Sequence, residues 1–224
     1  AHHLDDFDFA TVFTAPTDRF ARFAARFDRA IVWMNDPEQT IRSAFTEAGV
    51  RDVRVFPGLP PNDWTRHASE YYSECLGYEP LPPLLLPFET DDCVHDVLLH
   101  AGSGATQKNW PIDRFASLAE RLHEEGRTIE WIRGPAEERI PIPADAVILE
   151  VSSIVTLARH LTGATLYIGN DSGITHLAAA CGCKTIAIFG PTIPNVWAPR
   201  GVQVTAIAKT DWPSLDDITS RIQH

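Results

Sequence analysis

LYIGNDSGITHLAAACGCKTIAIFGP, residues 166–191, sets out a strand, a tight polar loop, a helix, a small-residue turn and a second strand. Leu166 to Ile168 is a short apolar run, Asn170 to Gly173 is a turn cluster, and Ile174 to Ala180 opens a helix rich in alanine. This is half of a nucleotide-binding α/β domain. In doubly wound sheets the ligand crevice lies beyond the carboxyl ends of the strands, where the free N–H groups and positive dipole end of the next helix favour a phosphate. Ser172 and Gly173 would offer backbone donors, Gly173 would permit close approach, and His176 falls in the first turn. The other reading is that Asp171 or Ser172 simply caps the helix.

A second segment repeats the pattern. HAGSGATQKNW, residues 100–110, follows the apolar run Val97 to Leu99 and precedes Pro111, which suits a first helical turn. Gly102, Ser103 and Gly104 can bring N–H groups against an anion, and Lys108 adds a mobile positive charge. The loop lacks the GxxxxGK[ST] spacing of a Walker A motif. Taken singly it reads more readily as a flexible loop with a solvated lysine; two anion-ready loops on separate strand-to-helix junctions argue for a ligand.

Together these segments resemble the carboxyl-terminal domain of glycosyltransferase family 9, the heptosyltransferases of lipopolysaccharide core synthesis. The family's first loop, roughly H-P-G-S-G, a basic residue and W-P, stands here as His100 to Gly104, Lys108 and Trp110-Pro111. Its second, N-D-[ST]-G followed by H-L-A-A-A and F-G-P-T, stands as Asn170 to Gly173, His176 to Ala180 and Phe189 to Thr192. Between them the family's G-x-P-x-E ribose turn has its counterpart in the stretch Arg133 to Glu137. Upstream, Trp64 to Tyr78 looks like the family's helix before the domain crossover.

The resemblance implies an α/β fold of GT-B type, two Rossmann-like domains with parallel sheets, the first shortened: residues 1–90 on the acceptor side and 91–224 holding the nucleotide sugar. It implies roles residue by residue. Lys108 would face the nucleotide diphosphate, with Ser103 and Gly104 lining the same loop. Glu137, or the adjacent Glu138, would hold the ribose, although a Glu-Glu pair is commonly a solvated charge. Asp171, Ser172, Gly173 and His176 would form the second phosphate and sugar loop, and Ser152 falls where the family's backbone meets adenine. The expected reaction is an inverting, metal-independent sugar transfer, with no cofactor beyond the ADP-sugar donor and a glycan or lipid-linked acceptor. Other readings that the donor-half motifs admit are a non-catalytic nucleotide-sugar-binding protein, another GT-B enzyme such as a nucleotide-sugar epimerase, and a protein heptosyltransferase. The family's G-D-x-[LV] loop, whose aspartate is taken as general base, has no counterpart, since no Gly-Asp pair occurs. Asp18, after an expected strand Ala10 to Ala15, is the base candidate, with a helix N-terminal acid as its competing reading.

Composition agrees with this picture. A net charge of −11 with scattered basic residues disfavours a nucleic-acid surface. The most apolar stretch, Leu81 to Phe88, is short and holds three prolines, so it reads as a linker and no transmembrane segment is expected. No leader pattern follows Ala1. A cytoplasmic protein is expected, with peripheral contact at the inner face of the bacterial inner membrane compatible with the resemblance. Cys75, Cys93, Cys181 and Cys183 are too few and irregular for a disulfide framework, and Cys181-Gly182-Cys183 reads as core packing rather than a metal site. Asp6-Phe7-Asp8 and the sequon Asn170-Asp171-Ser172 read as chance matches. Alternating strands and helices are expected from Ala10 to Phe56 and again from Val97, ending in a helix over Leu215 to Ile222.

Overall fold

The computed structural model describes residues 6–89, 94–134 and 140–222. They fall into two compact units. The first gathers the described residues up to Trp64 together with Glu70–Glu79, and the second takes Thr65–Ser69 and the described residues from Pro80 onward.

The first unit opens with a 3-10 turn, Asp6–Phe13, then α1 (Asp18–Ala24), β1 (Arg29–Trp33), α2 (Thr40–Glu47), β2 (Asp52–Phe56) and α3 (Ala68–Leu76), whose residues from Glu70 pack here. β1 and β2 pair in parallel, from Arg29 opposite Asp52 to Trp33 opposite Phe56. Val12, Phe20, Ala24, Ile41, Ala44, Val50 and Val53 form the core, with Phe9 set edge-on to Phe20 and Phe23 at 6.1 and 5.1 Å.

The strand expected over Ala10 to Ala15 is instead the end of the 3-10 turn. Its polar groups close on themselves: the Thr11 hydroxyl donates to the Asp8 carbonyl at 2.7 Å, and the Thr17 hydroxyl donates to the Asp8 carboxylate at 2.8 Å. Side chains that bond locally compete with a ladder, and among the described residues β1 pairs with β2 alone. The coiled turn still buries Val12, which is what the apolar run requires.

The second unit holds β3 (His95–His100), a short 3-10 turn (Thr106–Lys108), α4 (Ile112–Glu124), β4 (Ile129–Arg133), β5 (Ile148–Glu150), α5 (Ile154–Thr162), β6 (Ala164–Asn170), α6 (Gly173–Ala180), β7 (Thr185–Phe189), α7 (Pro194–Trp197), β8 (Val204–Ala208) and α8 (Leu215–Ile222). Its six strands are all parallel, in the order β5-β4-β3-β6-β7-β8. After β3 the chain winds outward through β4 and β5, then returns to lay β6 on the other flank of β3. The connection therefore reverses between β3 and β6, and a crevice opens there beyond their carboxyl ends.

Alternation along the central strands builds a core on each face. Val97 and Leu99 of β3 and Leu166 and Ile168 of β6 join Phe115, Leu118 and Leu122 of α4 and Ile218 of α8. Leu98 and Tyr167 point the other way, onto Leu157, Ala158 and Leu161 of α5 and Ala178 of α6. A sheet covered on both faces needs nearly continuous apolar strands, which is why these runs lack a polar alternate. Phe115, Leu118 and Leu122 are fully buried, each contributing about 1.5–3 kcal/mol of transfer free energy. Cys181 and Cys183 are buried in the second layer, where burial pushes the Cys183 thiol up to about 12. Cys93 lies outside the described residues. No helix among the described residues is long and apolar enough to cross a membrane.

Candidate functional site

The site grows from the last residues of β3 and β6, neighbours in the sheet with His100 opposite Gly169. The next residue of β6, Asn170, is fully buried. Its carboxamide oxygen accepts from the Trp110 N–H at 2.8 Å, and its amide nitrogen donates to the Ala101 carbonyl at 2.9 Å. One side chain thus ties down both ends of the loop that leaves β3. Inside it, the Ser103 hydroxyl lies 2.7 Å from the Ala105 carbonyl and 2.6 Å from the Asn109 side-chain oxygen. Ser103 therefore uses its side chain to brace the loop, leaving backbone N–H groups to meet a ligand.

Lys108, on the 3-10 turn of that loop, reaches across the crevice. Its ammonium lies 2.8 Å from the Asp171 carboxylate, whose same oxygen accepts from the Thr192 hydroxyl at 2.8 Å. The Asp171 side chain is 7% exposed and that of Lys108 36% exposed. A carboxylate so little hydrated requires such partners. Loops after β3, β6 and β7 consequently converge on one oxygen atom.

Ser172 is the N-cap of α6. Its hydroxyl accepts from the Thr175 N–H at 3.3 Å and lies 3.0 Å from the Thr175 hydroxyl, which in turn donates to the Asn170 carbonyl at 2.5 Å. The Tyr167 hydroxyl lies 3.0 Å from the Thr175 oxygen, from beneath the loop. The capping reading of Ser172 and the anion-loop reading thus coexist: the hydroxyl is turned inward, and the first N–H groups of α6 have no partner within the helix. Gly173 begins that helix, and a β-carbon built on it meets nothing within 4 Å; the same holds for Gly104. Packing does not demand glycine at either place, so both surfaces stand open to a ligand.

His176 lies one turn further along α6 with surface access. Desolvation lowers its pKa from the ordinary value, the Asp171 carboxylate opposes this, and the His67 ring adds to the lowering. Burial thus favours the neutral imidazole, which can donate one hydrogen bond and accept another.

Other expected residues fall elsewhere. Ser152 is exposed in a bend before α5, whose N-cap is the next residue, Ser153, accepting from the Thr156 N–H at 3.1 Å. Glu137 and Glu138 lie outside the described residues. Asp18 does not follow a strand: it is the exposed first residue of α1, in the first unit, and Thr17 is the N-cap, accepting from the Phe20 N–H at 3.3 Å. Among the described residues no group of three or more His, Cys, Asp or Glu side chains is arranged to hold a metal ion. Asn170 and Thr192 are the members whose roles the sequence did not isolate. Both sit in recognised motifs, but their contacts join loops distant in the chain.

The chain is 31% identical over 167 residues to lipopolysaccharide heptosyltransferase 1 of Pseudomonas aeruginosa, covering 66% of this chain and 46% of that protein. It is 32% identical over 113 residues to lipopolysaccharide heptosyltransferase 1 of Escherichia coli K12, covering 48% and 35% respectively. It thus spans less than half the length of these curated relatives. Among solved structures, an E. coli ADP-heptose LPS heptosyltransferase II aligns with a TM-score of 0.67 at 17% identity, covering 92% of this chain and 78% of that one. E. coli heptosyltransferase WaaC with ADP aligns with a TM-score of 0.61 at 17% identity, covering 88% and 72%. These likenesses show the α/β fold of the GT-B-like heptosyltransferases. A family model described as glycosyltransferase family 9 (heptosyltransferase) matches residues 94–220, more than half of the sequence and the whole of the six-stranded sheet: the chain belongs to that family.

Proposed function

We propose that the second unit binds the ADP part of an ADP-activated sugar, as the donor half of an inverting, metal-independent heptosyltransferase acting on a lipopolysaccharide-core or related glycan at a membrane face. The observation that carries this reading is the Lys108–Asp171 contact at 2.8 Å across the switch point of the sheet, which places a cation beside the N-terminus of α6. Family membership and a fold shared with a heptosyltransferase solved with ADP support it.

The chemistry follows from the charges. Departure of the sugar leaves a nucleoside diphosphate, and the barrier depends on stabilising that growing negative charge. Lys108 is a point charge suited to a phosphate oxygen, and the free N–H groups at Ser172 and Gly173 sit at the positive end of the α6 dipole. Together they perform the neutralisation that a divalent ion performs elsewhere. Asp171, held by Lys108 and Thr192, is repelled by phosphate and suited to accept hydrogen bonds from sugar hydroxyls.

Titration calorimetry of ADP, and separately UDP, without added metal tests this. Lys108→Gln is the informative variant, since it keeps a hydrogen-bond donor near Asp171 while removing the charge. ADP is expected to bind the native chain in preference to UDP, and Lys108→Gln to weaken it by about 10–100-fold, equivalent to about 1.4–2.7 kcal/mol. Failure of the folded native chain to bind ADP would remove the donor-site reading.

A further inference from the structure

We infer that Asn170 is a positioning residue for the diphosphate: its side chain sets the shape of the 101–110 loop and so the place of Lys108. The inference rests on the donor-site reading given under Proposed function and goes beyond it, because Asn170 itself is fully buried and would act through the loop.

The argument is one of hydrogen-bond inventory. The groups facing Asn170 are one donor, the Trp110 N–H at 2.8 Å, and one acceptor, the Ala101 carbonyl at 2.9 Å. A carboxamide presents one acceptor and two donors on a single rigid plane. Its orientation is therefore fixed, oxygen toward Trp110 and nitrogen toward Ala101. Aspartate, of the same shape, would set a carboxylate oxygen against the Ala101 carbonyl; alanine would leave both backbone groups unpaired. Asparagine fits both partners.

Both ends of the loop are anchored at points that do not yield. Ala101 is buried, as is Trp110, whose indole N–H donates to the Pro213 carbonyl at 2.9 Å. With the ends fixed and the Ser103–Asn109 brace at 2.6 Å inside, the conformations open to the residues between them are narrowed. Lys108 stands two residues before Trp110, and its ammonium rests on the residue after Asn170. Asn170 and Asp171 thus control, respectively, the frame of the loop and the direction of its charge. Preorganised donors of this kind cost no rearrangement when the anion arrives.

A residue that only filled a polar hole in the core would affect stability without distinguishing ligands. The test compares ADP with adenosine, measured by calorimetry on the native chain, Asn170→Asp and the double variant Asn170→Asp/Lys108→Gln, with thermal melting alongside. The expected result is an ADP affinity at least about 10-fold lower in Asn170→Asp, with adenosine affinity changed by less than about 2-fold. Lys108→Gln should then cost far less in that background than in the native chain, since the two act through one loop. Unchanged ADP affinity in Asn170→Asp, or equal losses for ADP and adenosine, overturns the inference while leaving the donor site intact. No ADP binding by the folded native chain overturns both. Should Asn170→Asp fail to fold, amide hydrogen exchange on the native chain decides. Strong protection of the Trp110 N–H before ADP is added supports the inference; Trp110 exchanging as fast as the amide of exposed Gly104 refutes it.

Discussion

Both units present the carboxyl ends of parallel strands to a cleft, but they spend their polar groups in opposite ways. In the first unit a cavity of about 820 Å³ lies beyond β1 and β2, lined by Asn35, Asp36, Gln39 and Arg42 among others. The Asp36 carboxylate accepts from the Ile41 and Arg42 N–H groups at 3.0 and 2.9 Å, and the Arg42 guanidinium donates to the Val53 carbonyl at 2.6 Å. Those charges complete a helix start and a strand. In the second unit Asp171 joins Lys108 and Thr192, and Asn170 joins Ala101 and Trp110, so that groups from three different loops meet. The difference lies in convergence: at the proposed donor site groups from separate elements meet, on a sheet broad enough to have a switch point.

The comparison can be broken most decisively by emptying the smaller core. Phe20 is fully buried and stacks edge-on with Phe45 at 5.1 Å. Phe20→Ala should cost the first unit about 3–5 kcal/mol, seen as a lowered first transition by calorimetry. ADP affinity should hold at temperatures where the second unit remains folded; loss of ADP binding in step with that transition would show that the site is not the second unit's own. A smaller effect sharpens the contrast at the site. Gly173→Ala should leave the melting temperature unchanged or slightly raised, because the added β-carbon meets no protein atom within 4 Å and alanine favours a helix. It should nevertheless weaken ADP by about 10-fold, or about 1.4 kcal/mol, if the N–H groups there meet a phosphate; undiminished ADP binding would move the phosphate elsewhere.

The smallest effect expected concerns acid. Asp96 on β3 and Asp52 on β2 each pair with arginine: a side-chain hydrogen bond from Arg127 lowers the Asp96 pKa, and hydrogen bonds from Arg54 and Arg29 lower that of Asp52. A carboxyl depressed in the folded state stabilises the protein above its unfolded value of about 3.9, and that contribution is lost as pH falls through the folded value. Arg29 and Arg54 are 53% and 40% exposed against 28% for Arg127, so screening leaves the Asp52 pairs less to lose. Asp96→Asn should therefore flatten the fall in melting temperature between about pH 5 and pH 3 more than Asp52→Asn does. Equal slopes would show that the two ion pairs contribute alike.

Legibility in the sequence followed physical range. Apolar runs such as Val97 to Leu99 and Leu166 to Ile168 declared the buried strands, and turn clusters ahead of amphipathic stretches declared α4 and α6. Lys108, Asp171, Ser172 and Gly173 were visible because each sits at a strand-to-helix junction. β8 was passed over, since Val204 to Ala208 has a half-exposed, edge-strand character with little signal of its own. So was α7, a single turn. The 3-10 turn over Asp6–Phe13 was misjudged because an apolar run of that length fits a strand or a coiled segment equally well, and local hydrogen bonds decided. Asn170 reads in sequence as a turn residue; its two bonds exist only once β3 and β6 are side by side.

The short passage Thr65–Ser69 has a practical consequence. His67 lies 2.8 Å from the Ala198 carbonyl through its Nε2 atom, and the Arg200 guanidinium donates to the Ser69 hydroxyl at 2.9 Å, so these five residues belong with the large sheet although α3 then runs on into the small unit. Cutting the gene at the proline-rich stretch would strip a clone of the second unit of that fastening, taking the His67 ring from the Ala198 carbonyl and the Ser69 hydroxyl from Arg200. A stand-alone version that keeps the fastening must start at or before Thr65 and carry α3 as a passenger, its Tyr71 and Tyr72 hydroxyls deprived of the Pro57 and Gly58 carbonyls they now reach at 3.0 and 3.1 Å.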